Sequence, residues 1–213
     1  MTPQDASQQA LEICQLAPIV PVLVVDDARH GEPLARALVA GGLPALEVTL
    51  RTPDALDVIA EMAQVEGGVV GAGTLLTPQD VVAAKEAGAL FGVSPGATDR
   101  LLDACEDAEL PLLPGAATAT EAMRLLERGY TMLKFFPAEA SGGAVALKAI
   151  GAPIPQVSFC PTGGVSLTNA ETYLSLPNVV CAGGSWVAPK DKVDEGDWAA
   201  IEDLARAAAA LSR

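Results

Sequence analysis

A lysine buried in an apolar strand is one place in this 213-residue chain where covalent chemistry can start. Met132-Leu133-Lys134-Phe135-Phe136-Pro137 reads as a short buried strand, so Lys134 must hold its amine in poorly solvated space. Desolvation disfavours an ammonium, and neighbouring cations disfavour it further. An unprotonated lysine can attack a ketone and form a Schiff base. The alternative is a lysine that snorkels from the strand end to solvent, or one that pairs with a carboxylate.

A second strand carries charge in a pattern that gives it one polar face. In Leu46-Glu47-Val48-Thr49-Leu50-Arg51, side chains alternate, so Glu47, Thr49 and Arg51 share one side and the apolar residues share the other. A buried carboxylate can serve as general base and acid, and an arginine offers a planar fork to a substrate carboxylate. The alternative is a structural Glu47–Arg51 ion pair.

Two glycine turns follow successive strands late in the chain, Pro161-Thr162-Gly163-Gly164-Val165-Ser166 and Gly183-Gly184-Ser185. Paired glycines let backbone N–H groups come close to an anion, which points to phosphate. Thr74, at the end of Gly71-Ala72-Gly73-Thr74, can set its backbone or hydroxyl beside a substrate carboxylate, or simply end a tight turn. Ser94-Pro95-Gly96 and Pro114-Gly115 end two further strands and read as turns. His30, after Asp26-Asp27, reads as a surface-loop residue, and the acidic run from Asp191 to Asp197 as a solvent-facing segment. No Walker loop, strand-linked GxGxxG or HExxH string occurs.

The elements that position these residues repeat regularly. Strand candidates are Ile19–Val25, Ala45–Leu50, Val69–Gly73, Leu90–Val93, Leu112–Leu113, Met132–Phe135, Val157–Cys160 and Val179–Ala182. Amphipathic stretches lie between them, opened by Thr52-Pro53, Thr77-Pro78 and Thr98-Asp99 and closed by Gly41, Gly88 and Gly129. Eight β-then-α units at a period of about two dozen residues predict a parallel sheet closed into a compact (β/α)8 TIM barrel, with an open doubly wound sheet as the competing fold. An additional helix opens the chain, so residues 1–17 read as an N-terminal helix and 18–213 as a single barrel domain. In a barrel the βα loops carry the active site, and the loops after strands seven and eight often bind phosphate.

Composition narrows the function further. Half of the residues are hydrophobic and 19% are charged, which fits neither a disordered chain nor a coiled coil. A net charge of −14 argues against a nucleic-acid or anionic-membrane partner. Cys14, Cys105, Cys160 and Cys181 lie far apart without a CxxC pair, as buried small hydrophobes do in a reducing compartment. One histidine cannot build a multi-histidine metal site. The first residues lack a signal-peptide pattern, and Pro18–Val25 is too short to span a bilayer, so a cytoplasmic location is expected.

Taken with the strings above, Lys134-Phe135-Phe136-Pro137-Ala138-Glu139, Cys160-Pro161-Thr162-Gly163-Gly164 and Gly183-Gly184-Ser185-Trp186 closely resemble one family. It is the family of 2-keto-3-deoxy-6-phosphogluconate (KDPG) aldolases, metal-free class I lyases of the Entner–Doudoroff pathway. The resemblance runs in order from about Ile19 to the last helix. Related phosphogalactonate aldolases carry Asn where Arg51 stands. The resemblance implies that Lys134 forms the Schiff base and that Glu47 shuttles protons. It implies that Arg51, Thr74, Thr162 and Pro95 line the pyruvate end, and that Gly163, Gly164, Gly184 and Ser185 bind phosphate. It also implies a homotrimer with no cofactor or metal, which cleaves a phosphorylated keto acid to pyruvate and glyceraldehyde 3-phosphate. Cleavage of 4-hydroxy-2-oxoglutarate to pyruvate and glyoxylate is a further implied activity. The competing readings are a phosphogalactonate-type aldolase, a metal-dependent pyruvate aldolase, another phosphate-binding barrel enzyme such as an isomerase or synthase, and a phospho-ligand-binding barrel without catalysis.

Overall fold

The computed structural model describes residues 1–212, in which parallel strands and helices alternate. Helix α1 (Pro3–Cys14) precedes β1 (Ile19–Leu23), and a 3₁₀ turn at Ala28–His30 leads into α2 (Gly31–Ala40). Next come β2 (Ala45–Thr49), α3 (Ala55–Met62), β3 (Val69–Gly73), α4 (Pro78–Glu86), β4 (Phe91–Val93) and α5 (Asp99–Asp107). Two short strands, β5 (Leu112–Leu113) and β6 (Gly115–Ala116), precede α6 (Ala119–Arg128), β7 (Met132–Phe135) and α7 (Gly143–Gly151). The chain ends with β8 (Ser158–Pro161), α8 (Ala170–Leu174), β9 (Ala182–Gly184), α9 (Lys190–Glu195) and α10 (Trp198–Ala209). No described helix is long and apolar enough to cross a membrane.

Local chemistry explains most of the helix ends. Thr2, Thr77 and Thr118 open α1, α4 and α6 with reciprocal caps, in which each hydroxyl accepts the N–H three residues on and the acidic side chain there returns the bond. Gly129 closes α6 at φ +117°, a conformation other residues rarely adopt. One expected start differs, and one glycine closes its helix as expected but without a left-handed turn. Thr52 does not cap α3, because its hydroxyl donates to the Val25 carbonyl at 2.7 Å and the helix starts at Ala55. Gly41 stays right-handed at the end of α2, where a Cβ would press on the Ala205 side chain and the Glu202 carbonyl of α10.

The strands pair in two parallel sheets, ordered β5-β4-β3-β2-β1-β9 and β6-β7-β8. The fold is therefore α/β with curled parallel sheets, and the ladders do not run unbroken around one ring of eight strands. Two features interrupt them. Pro114, which has no N–H, separates β5 from β6, and β8 meets β9 only at the isolated bridges Phe159↔Val179 and Thr162↔Gly183. The last strand accordingly lies at Ala182–Gly184 rather than at Val179–Ala182.

Alternation along the strands builds two cores. Leu46, Val48, Leu133, Phe135, Phe159 and Ala182 belong to the larger one, together with the apolar faces of the helices. Val20, Ala45, Phe91, Val93, Leu113, Met132 and Cys160 form the other, joined by Cys181 and by Cys14 of α1. This second cluster draws on strands of both sheets. Ser7 of α1 holds the base of β7, its hydroxyl accepting the N–H groups of Thr131 at 2.8 Å and Met132 at 3.0 Å. The four cysteines are free thiols and all are buried.

Candidate active site

Lys134 and Glu47 lie one alternation beyond Met132 and Ala45, on the same strand faces. The Lys134 ammonium donates to Glu47 Oε1 at 3.0 Å, bridging the two sheets, and the two side chains are only 7% and 3% exposed. The sheet makes room for this pair with glycines. A Cβ at Gly73 would lie 2.7 Å from Glu47 Cγ, and one at Gly71 would run into the Phe91 ring. Gly115, which read as a turn, is the partner of Lys134 in the β6–β7 ladder. Its missing side chain leaves space for the Pro95 carbonyl.

Lys134 and Glu47 open into a cavity of about 480 Å³ that is also lined by Arg51, Thr74, Pro95, Thr162, Gly163, Gly164 and Ser185. Its size suits a small-molecule site. Lys134 therefore has the carboxylate partner expected of a paired lysine, yet it also lines a cavity together with the Gly163–Gly164 turn instead of reaching outward to solvent. The Glu47–Arg51 ion pair is not formed, because Glu47 is engaged by Lys134. Arg51 instead donates from Nε to Thr49 Oγ1 at 3.2 Å, and Thr49 donates to the Leu23 carbonyl at 2.9 Å. That chain of bonds holds the exposed guanidinium at the rim with most of its donors uncommitted.

Thr74 directly follows the last residue of β3, with no turn there, and lines the cavity. Its φ of +64° is unusual for a β-branched residue and costs roughly 1–3 kcal/mol, the kind of strain found where backbone groups are held for a ligand. Gly163 and Gly164 adopt φ +97° and +80°, and a Cβ on Gly164 would lie 2.6 Å from Glu139 Cγ. Gly184 stands apart from the cavity lining. The space a side chain would need there is filled by the Trp186 ring, while Gly183 and Ser185 face the cavity.

Beneath the pair, Cys160 is the ladder partner of Lys134. Hydrogen bonds with Cys14 and Cys181, aided by the charge of Lys134 and by Thr162, hold the Cys160 thiol below its ordinary range. Tyr173 donates to Glu139, and burial first, then that bond, pushes its phenol up. Outside the cavity, His30 is half-buried and meets the Trp198 ring edge-on at 5.7 Å. The acidic run forms α9 and its cap, where Lys190 and Lys192 offset part of its charge. No group of three or more His, Cys, Asp or Glu side chains among the described residues is arranged to hold a metal ion.

Six lining residues receive no site role from the sequence: Val22, Thr49, Leu76, Phe136, Val165 and Gly183. Phe136 and Val22 were within reach of the alternation rule, since they share parity with Lys134 and Val20. The Phe136 ring centroid lies 5.3 Å from Lys134 Nζ, covering the amine with an aromatic face.

A family model described as KDPG and KHG aldolase matches residues 11–204. A 2-dehydro-3-deoxy-phosphogluconate aldolase of Pseudoalteromonas atlantica is 53% identical over 200 residues, covering 93% of each chain. Among solved structures, the 2-keto-3-deoxy-6-phosphogluconate aldolase of Zymomonas mobilis ZM4 with 3-phosphoglycerate superposes with a TM-score of 0.93 at 47% identity, covering 97% of this chain and 98% of that one. The KDPG aldolase of Legionella pneumophila, with pyruvate captured as a covalent carbinolamine, superposes with a TM-score of 0.91 at 44% identity, over 94% and 98% of the two chains.

Proposed function

The chain belongs to the KDPG and KHG aldolase family, and from that premise we propose how its cavity works as an active site. The protein is a lyase that cleaves 2-keto-3-deoxy-6-phosphogluconate to pyruvate and glyceraldehyde 3-phosphate. Lys134 forms the Schiff base and Glu47 moves the protons. Arg51, Thr74, Thr162 and Pro95 hold the pyruvate end, and Gly163, Gly164, Gly184 and Ser185 bind the phosphate, Gly184 through its backbone at the turn. The observation that carries this reading is the buried Lys134–Glu47 contact in a cavity that the Gly163–Gly164 turn also lines.

The 3.0 Å contact supplies the first step. Glu47 takes a proton from the lysine, and the neutral amine adds to the C2 ketone. The same carboxyl gives its proton to the new alkoxide, takes another from the nitrogen and passes it to the resulting hydroxyl, so that water leaves and a cationic iminium remains. That cation draws in the electrons of the C3–C4 bond as the C4 hydroxyl gives up its proton to Glu47. Glyceraldehyde 3-phosphate departs, Glu47 returns the proton to C3 of the enamine, and water hydrolyses the iminium to release pyruvate. Splitting the reaction in this way replaces one hard carbanion-forming step with several easier ones.

Cleavage of 4-hydroxy-2-oxoglutarate to pyruvate and glyoxylate uses the same pyruvate end and the same iminium, and the family name supports it. The same reading takes the chain as one domain, an N-terminal helix at 1–17 followed by a barrel at 18–213, of which Arg213 lies outside the described residues. In it β5 and β6 count as one kinked strand and the β8–β9 bridges close a ring of eight. It also carries a cytoplasmic homotrimer.

Borohydride reduction in the presence of pyruvate tests the assignment. Wild-type protein is expected to gain the mass of a reduced pyruvyl adduct on Lys134, and Lys134→Ala should gain none and lose turnover. Normal turnover by Lys134→Ala, or an adduct on another lysine, would refute it.

A further inference from the structure

Two carbonyls on the outer side of the Gly163–Gly164 turn are tied down, and one of the ties is a side chain. Gly163 O accepts the Glu139 N–H at 3.0 Å. Gly164 O accepts Asn169 Nδ2, also at 3.0 Å. Asn169 cannot swing away freely, because its Oδ1 accepts the Ser166 N–H at 2.8 Å. Only one orientation of the amide gives the donor to the carbonyl and the acceptor to the N–H.

In a trans peptide the C=O and the following N–H point in opposite directions. Holding the Gly163 carbonyl outward therefore turns the Gly164 N–H inward, and holding the Gly164 carbonyl does the same for the Val165 N–H. Neither of these N–H groups has a protein acceptor among the described residues, whereas the Gly163 N–H faces Gly183 through the Thr162↔Gly183 bridge. Gly163, Gly164 and Val165 all line the cavity, whereas Asn169 does not. Successive N–H groups that converge in this way form an anion-binding concavity.

We propose that Asn169 is a positioning residue for the phosphate group of the substrate: its amide holds the Gly164 carbonyl away from the cavity and thereby aims the Val165 N–H into it. The inference rests on reading the Gly163–Gly164 turn as the phosphate site. Asn169 touches no substrate atom in this account, so its substitution removes an orientation and not a contact.

The test compares two reactions of the full-length protein. Cleavage of the phosphorylated keto acid uses the phosphate subsite, whereas exchange of the pyruvate methyl protons for deuterium uses the lysine and the proton carrier without any phosphate. For Asn169→Ala, KM for the phosphorylated substrate should rise about five- to tenfold, the effect of one modest hydrogen bond, with kcat and the exchange rate falling much less. Asn169→Asp keeps an acceptor for the Ser166 N–H but no donor for the carbonyl, so its KM should rise too. This second variant carries the test if the alanine variant does not fold. Ser185→Ala serves as the control for the phosphate reading. If Ser185→Ala raises KM and the Asn169 variants keep the wild-type value, the role of Asn169 is overturned and the phosphate site stands. If none of the three raises KM, both fall. An equal loss in cleavage and exchange for Asn169→Ala marks a merely structural residue and overturns the proposal.

Discussion

The strands of this protein present two inward layers of opposite character, one alternation apart. The lower layer holds Val20, Ala45, Met132, Cys160 and Cys181, closed from below by Cys14 of α1. The upper layer replaces them, strand for strand, with Val22, Glu47, Lys134, Thr162 and Gly183, all of which line the cavity. Two residues along a strand is roughly 6.6 Å, so apolar packing gives way to ionisable chemistry within one side-chain diameter. The difference shows what each layer must satisfy. The lower one needs only filled volume, whereas the upper one buries an ammonium and a carboxylate that are tolerable there because each satisfies the other.

If the layers divide labour in this way, damage to the upper one should appear in catalysis and damage to the lower one in stability. Glu47→Gln is the largest expected effect of this set. It keeps the shape but cannot shuttle protons, so kcat should fall by about 10²–10⁴ with a smaller change in KM. An effect confined to KM in steady-state kinetics would contradict the proton-transfer role. Met132→Ala probes the same inward face of β7 one step below Lys134. Emptying a fully buried methionine site should cost about 2–5 kcal/mol in denaturant unfolding while kcat of the folded protein stays close to wild type. A collapse of kcat with little loss of stability would show that the layers are not separable.

Alternation made much of this division legible in the sequence, because it separates Glu47, Thr49 and Arg51 from Leu46, Val48 and Leu50 without any coordinates. It could not reveal that Glu47 pairs with Lys134, 87 residues away and on the other sheet, rather than with Arg51 on its own strand. That choice depends on the register between sheets, which no local pattern encodes. The glycines show the same limit. Gly73 and Gly115 were visible as small residues, but their use is to admit the Glu47 carboxylate and the Pro95 carbonyl, partners that only the packed structure identifies. Asn169 carries no motif at all, since its significance lies in which carbonyl its amide reaches. The expected ring of eight strands was blurred by Pro114, visible in the sequence but readable there only as a turn.

The link between the layers can be tested at its lowest point, where α1 meets β7. Ser7 is 1% exposed, and its hydroxyl accepts two backbone N–H groups at the start of the strand that carries Lys134. Ser7→Ala leaves those donors without that acceptor and opens almost no cavity, so the loss is one of hydrogen bonding alone, about 1–3 kcal/mol. For a domain of this size that corresponds to a Tm lower by about 2–10 °C. Lys134 is anchored independently, by its own N–H donating to the Pro114 carbonyl at 2.9 Å and by Glu47, so kcat below the transition should stay near the wild-type value. Should Tm hold while kcat drops, α1 would be setting the pose of the lysine, and the lower layer would be part of the catalytic apparatus instead of its support.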